Sequence, residues 1–297
     1  MEDTPATYNN NDNNRMEATE QELKWAAAIK EAAEADADID ATALSDLEFL
    51  QHAIIAKEKV PKALQRIKHM QKFKQVYGIP RNGSYEDAMR DLKAFHEAHP
   101  NFILAIGSMD EAAAGSKQQN DDDDNNNNNA HTHLLSWDFA QFHAKKMHSE
   151  EAFSVLLRGL FYYMQACQPN IAAMRAGICF LANTAHIGWR NFSVQAEEKC
   201  AQLYAEAYPI RIKQMAMMNA SPILRVFYNI CKVFLSKKIR QTVVFCAGHE
   251  AFLNQCEYAA PILLPTQWGG TMNVDIMQKM LELKIKQRYK LEESFKL

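Results

Sequence analysis

The sequence predicts an α/β fold: a mostly parallel, mixed sheet flanked by helices, preceded by a small all-helical N-terminal lobe. Three observations predict it. From about residue 100 onward, short apolar runs alternate with amphipathic helical patterns, the arrangement that lays helices over a parallel sheet. Residues 176–182 are continuously apolar, as a central strand buried on both faces must be. Residues 41–99 carry only helix-period patterns.

In chain order, residues 1–20 are rich in Asn and Asp and hold few large apolar groups, too few to offset chain entropy, which predicts disorder. Residues 20–34 are Ala/Glu/Lys-rich and read as an exposed helix, so 1–40 forms an acidic tail. Ser45 or Asp46 caps the next helix, carrying Leu47, Phe49, Leu50 and Ile54. A further helix starts near Pro61, with Val60, Leu64, Ile67 and Met70 as its stripe. Lys57, Lys59, Lys62, Arg66, Lys68, Lys72 and Lys74 make this block basic, read as a solvated face. Residues 78–84 are a loop by composition, a helix spans about 85–96, and 102–106 reads as the first buried strand.

The run 115–130, dominated by Asp121–Asp124 and Asn125–Asn129, is a low-complexity insert. A strand through Leu134, Leu135, Trp137 and Phe139 follows and pairs with the first as a hairpin or edge pair. Ser149-Glu150-Glu151 opens a helix with a capping hydroxyl and two carboxylates near the positive end of its dipole. After the 176–182 strand come a loop to Asn191, a helix over 193–207 and a strand over 212–218. Pro222 suits a first helical position. Ile223, Val226, Phe227, Ile230, Cys231 and Phe234 then recur at helical spacing with a thin polar face, so the helix over 222–235 must be buried or must cover something apolar. A basic turn (Lys237, Lys238, Arg240), a strand over 242–246 and a helix over 249–257 follow. Residues 276–297 form a C-terminal helix around Ile276, Met280, Leu283 and Ile285.

Bulk numbers narrow the function. The 297 residues are 47% hydrophobic and 23% charged, with net charge −3, which argues against a nucleic-acid binder. Charge is uneven: residues 1–50 carry −10 and the remainder +7, a mildly basic folded part. Six cysteines without Cys-x-x-Cys spacing read as reduced, buried thiols of a cytoplasmic protein. The acidic start is no secretory signal, and no apolar run approaches the ~18 residues that span a bilayer. There is no nucleophile elbow, Walker loop or dinucleotide-binding glycine motif, which disfavours an α/β enzyme. His131-x-His133, with His143 and His148 nearby, reads as exposed histidines, not a metal site. No cofactor is expected. The run Met215-Ala216-Met217-Met218 suits either ordinary core or an adaptable apolar cavity, because thioethers conform to irregular shapes.

An ordered set of motifs carries a family resemblance: Tyr208-Pro209-Ile210-Arg211, a strand ending at Asn219, the helix closing on Lys232-Val233-Phe234-Leu235, the basic segment, a strand, and Leu264-Pro265 through Trp268-Gly269-Gly270. In order and spacing this stretch resembles the CRAL-TRIO family of lipid-binding domains, and within it members of the tocopherol-transfer and retinal-binding type. The resemblance implies a domain over 100–275 whose pocket lies between a sheet floor and a gate helix. Phe180, Met215, Met217, Ile223, Val226, Phe227, Ile230 and Phe234 would form pocket and gate. Lys232, Lys237, Lys238 and Arg240 would be the basic edge that meets phosphoinositide headgroups on an anionic membrane. Phosphatidylinositol-transferring members carry a Glu and a Lys where this chain has Ile210 and Thr242, which points away from that lipid as the pocket ligand. The expected protein is a monomeric cytoplasmic carrier, peripheral at membranes, that exchanges one lipid-like ligand. The alternative is a non-transferring lipid sensor or protein-interaction adaptor.

Overall fold

The computed structural model describes residues 17–108, 131–256 and 263–297. Residues 1–16 of the predicted tail and the Asp/Asn-rich insert lie outside the described residues.

The N-terminal part is helical: α1 Glu20–Glu34, α2 Asp46–Ala56, α3 Val60–Tyr77 and α4 Tyr85–Ala98. Thr19, Ser45 and Ser84 each close a reciprocal capping box with the residue three positions on, so three of these helix starts are fixed by local chemistry. Helix α1 is not the exposed helix its composition suggests. Ala26, Ile29 and Ala33 are fully buried where it packs on α2, because small side chains let the two backbones approach. The Arg175 Nε also donates to Glu22 Oε1 at 2.8 Å, tying α1 to the sheet domain. Lys74 likewise departs from the solvated face: it is buried and pairs with Glu48 across α2 and α3 at 2.8 Å.

The sheet has five strands in the order β1-β2-β3-β4-β5. They are β1 Ile103–Ser108, β2 His133–Asp138, β3 Ile178–Asn183, β4 Ile212–Met218 and β5 Val243–Cys246. β1 and β2 pair antiparallel, and the other neighbours pair parallel. Between strands lie α5 Glu150–Ala166, α6 Ile171–Ala176, α7 Val194–Ala201, α8 Pro222–Cys231 and α9 Lys237–Gln241. After β5 come α10 His249–Gln255 and α11 Val274–Ser294.

Two differences from the sequence reading are local. The apolar run 176–182 is not all strand: Ala176 ends α6, and Gly177 turns the chain at φ +90°. A side chain there would collide with the Arg211 carbonyl, so only glycine fits. The helix expected over 193–207 is α-helical to Ala201 and then widens to a π-helix over Gln202–Ala207.

Strand alternation sorts the core onto two faces. Leu135, Trp137, Phe180 and Met215 join the helices of the N-terminal half in one continuous cluster. Leu134, Cys179, Leu181, Ala216, Met218 and Cys246 face Phe252, Leu264 and Trp268 on the other side. The closing motif builds that second cover. Gly269 adopts φ +82°, and any side chain on Gly270 would strike the Leu264 carbonyl.

Helix α11 covers the β1 edge, the edge that could otherwise pair with another chain. The predicted stripe is buried only in part: Ile285 is buried and Met280 half-buried, but Ile276 and Leu283 are exposed, and Met277, Leu281, Lys284, Arg288 and Tyr289 complete the buried side. His133 is buried too, not exposed as its composition implies. Lys284 Nζ donates to its Nε2 at 2.8 Å, and its Nδ1 contacts the His131 carbonyl at 3.0 Å. Desolvation together with the Lys284 charge holds His133 neutral.

Candidate functional site

The site begins with sheet register. Parallel pairing sets Phe180 opposite Met215 and Ala182 opposite Met217, and Met215 opposite Val243, so these side chains share one face. With Trp137 from β2 they form the floor of an apolar void of about 60 Å³. Helix α7 and the π-helical turn supply Ala201 and Tyr204 as one wall.

The cover is α8. Ser221 caps it by accepting from the Leu224 N–H at 3.2 Å, and Pro222 occupies its first turn. Its inner stripe is Leu224, Phe227 and Cys231, all buried; Tyr228 also borders the void. The chain continues through a 3₁₀ turn at Lys232–Phe234, and Phe234 and Leu235 seal the end of the void. Phe227 stacks on Phe192 with ring centres 4.0 Å apart and planes 24° apart.

Of the predicted pocket residues, Phe180, Met215, Met217, Phe227 and Phe234 line the void. Ile223, Val226 and Ile230 do not. Val226 and Ile230 are 50% and 47% exposed on the outer side of α8, and Val233 is 72% exposed beside them. The helix carries two apolar stripes, one facing the void and the other solvent, a distinction that residue type alone does not carry. Lys237, Lys238 and Arg240 are exposed on α9 and have no ion-pair partner among the described residues. Lys232 donates to Asn229 Oδ1 at 2.9 Å.

Sequence reasoning missed Trp137, Phe192, Glu197 and Tyr204 at this site. Glu197 is the unexpected one. It makes no hydrogen bond or ion pair with any described residue, and burial pushes its carboxyl up to about 7. A 3.6-residue count from Ala201 back to Glu197 places both on one stripe and was the only available signal. Asn183 and Asn219 stay outside the void: Asn219 Nδ2 donates to Asn183 Oδ1 at 2.9 Å and locks the ends of β3 and β4. Ile210 is buried, and Thr242 Oγ1 donates to the Ile239 carbonyl at 2.7 Å, so neither position presents a charge.

A sheet-floored apolar void under an amphipathic helix defines an α/β domain shaped for a hydrophobic molecule. Residues 126–270 match the family model of the CRAL/TRIO domain. The chain is also similar to tyrosine-protein phosphatase non-receptor type 9 of Mus musculus, Homo sapiens and Rattus norvegicus. Each is 25% identical over 138 residues, covering 46% of this chain and 23% of the relative. The chain thus spans about a quarter of the length of the curated relatives it matches. Among the described residues, no helix is long and apolar enough to cross a membrane.

Proposed function

We propose that the protein is a cytoplasmic carrier that holds one hydrophobic lipid-like molecule and passes it between membranes by displacement of α8. The observation that supports this best is the two-sided cover. Leu224, Phe227 and Cys231 close the void from above, while Val226, Ile230 and Val233 expose apolar surface beside Lys237, Lys238 and Arg240. Such a helix exchanges one apolar environment for another when it leaves the pocket and enters a bilayer surface.

Size supports a moving cover. The void of about 60 Å³ has room for roughly two waters, whereas ligand pockets typically hold ~300–1,000 Å³. Loading therefore requires α8 to swing out and the Phe192–Phe227 stack to part. A ligand with roughly 400 Å² of apolar surface gains about 10 kcal/mol on leaving water, which offsets that opening. The basic edge adds ~1 kcal/mol per Lys or Arg at an anionic surface. With Ile210 and Thr242 uncharged, the pocket itself suits a ligand without an inositol phosphate. The phosphatase named for the relatives is not part of this reading, since so little of their length is shared.

The test combines native mass spectrometry of the purified protein with transfer between vesicles. A single extractable lipid should accompany the protein, and Lys238→Glu with Arg240→Glu should weaken binding to anionic vesicles by ~2 kcal/mol, about 30-fold. Unchanged binding and transfer would remove the docking step. A protein that stays empty among mixed lipids would favour the non-transferring adaptor.

A further inference from the structure

We infer that Ser221 is a phosphorylation site, modified by a protein kinase that reads the proline after it, and that the added phosphate is clamped by Arg225. The site itself does not depend on what the void holds. Its effect on membranes rests on the reading of α8 as the moving, membrane-facing cover.

Ser221-Pro222 is the only Ser-Pro pair in the chain. It lies in the connection from β4 into α8. A proline pushes the residue before it into an extended conformation, and Ser221 has φ −83° and ψ 161°. An extended backbone is the shape that a kinase cleft receives, and a proline brings no N–H that would need a partner there. Pro222 is exposed and Ser221 half-buried. The Ser221 oxygen accepts from the Leu224 N–H at 3.2 Å, and its hydroxyl hydrogen has no acceptor among the described residues.

The surroundings suit a phosphate here and not at the comparable serines. Four other capping serines have a carboxylate in the first turn of their helix: Glu48 after Ser45, Asp87 after Ser84, Glu150 after Ser149 and Glu197 after Ser193. The first turn of α8 holds no acid. Arg225 stands one turn on from Ser221, and helical side chains lean toward the N-terminus, so its guanidinium can reach back to the cap. Arg225 is exposed, forms no ion pair among the described residues, and rests over the Phe245 ring at 5.0 Å. A phosphate on Ser221 therefore meets an uncommitted guanidinium and the first N–H groups of a ten-residue helix.

The reaction is phosphoryl transfer from ATP. The bond from Ser221 Oγ to the γ-phosphorus forms, the bond from that phosphorus to the bridging oxygen breaks, the hydroxyl proton passes to the kinase's base, and ADP leaves. The product adds about −1.5 to −2 charges to the helix that exposes Val226 and Ile230. Arg240 of the basic edge is near enough to act on Tyr228 of the same helix. The phosphate thus fastens the first turn of the cover and offsets part of the basic edge, so the modified protein stays closed and leaves anionic membranes.

The experiment treats the full chain with a proline-directed serine/threonine kinase and Mg-ATP, maps the product by mass spectrometry and compares the two forms. The wild type should take up phosphate at Ser221, Pro222→Ala far less, and Ser221→Ala none at that position. Thr4-Pro5, the one Thr-Pro pair, is scored separately. The modified wild type should melt about 2–4 °C higher, a gain that Arg225→Gln, a change at an exposed position, should lose. Binding to vesicles of equal parts phosphatidylcholine and phosphatidylserine should fall about tenfold or more. No phosphate at Ser221 in the wild type, or a melting shift that is absent or survives in Arg225→Gln, would overturn the inference. So would undiminished vesicle binding by the phosphorylated protein. Unmodified protein that ignores anionic vesicles would instead sink the docking reading, and the phosphate map and melting shift would still decide the site.

Discussion

His52 sits at the centre of the helical lobe, 1% exposed, with neither ring nitrogen hydrogen-bonded. Desolvation first, and then the Arg66 and Lys74 charges, push its pKa from 6.5 down to about 3. The unfolded chain therefore binds this proton before the folded one does. Stability is intact above about pH 6.5 and falls as pH drops from there toward about 3. The loss by pH ~4.5 should be about 3 kcal/mol. Thermal unfolding across this range should show it in the wild type and much less in His52→Leu; parallel curves would mean that other groups dominate acid sensitivity. None of this was legible beforehand, since a histidine on an apolar helix announces burial but not solitude. Glu197 was hidden for a related reason: it stands among Gln195, Glu198 and Lys199 on α7, and the fold shows that it borders the void. Ser45, Ser149 and Pro222, by contrast, were readable because caps and first-turn prolines act on their immediate neighbours.

At the scale of elements, legibility follows how local the cause is. β4 spans Ile212–Met218 as its apolar run predicts, and α8 starts at Pro222 as proline chemistry requires. Helix α6 escaped detection because Ile171–Ala176 is short and Gly177 merges its apolar residues with the next strand. The buried side of α11 was misassigned because it hides Lys284 and Arg288, whose partners come from distant parts of the chain. The two-sided character of α8 makes a further prediction. Val226→Ser with Ile230→Ser touches only exposed positions, so the melting temperature should stay within the small range typical of surface changes. Binding to anionic vesicles should drop by about tenfold or more, as expected for removing two apolar side chains from a bilayer contact. Equal vesicle binding would place the membrane contact elsewhere.

Across the whole molecule, the lobe and the sheet domain share one core cluster, which runs from Ile29 and Leu47 through Phe161 to Phe180 and Met215. A buried polar network reinforces it. Arg288 Nη2 on α11 donates to Gln51 Oε1 at 2.8 Å, and Gln51 Nε2 donates to Gln168 Oε1 at 2.6 Å and to the Pro209 carbonyl at 3.1 Å. Lobe, C-terminal helix and the Tyr-Pro turn therefore stand or fall together. Urea unfolding followed by circular dichroism and by fluorescence should give coincident single transitions. Arg288→Ala should shift both to lower urea by about 3–5 kcal/mol without splitting them. Separate transitions would show that the lobe folds on its own.

Trp189 is 61% exposed, and its ring lies 6.1 Å from Phe192, which in turn stacks on Phe227 of α8. Trp137 and Trp268 are buried, and Trp25 belongs to α1. The molecule thus carries an exposed indole next to the helix proposed to move. The difference between the emission of the wild type and that of Trp189→Phe isolates this one indole, so the proposed opening and bilayer contact can be followed in real time on unlabelled protein.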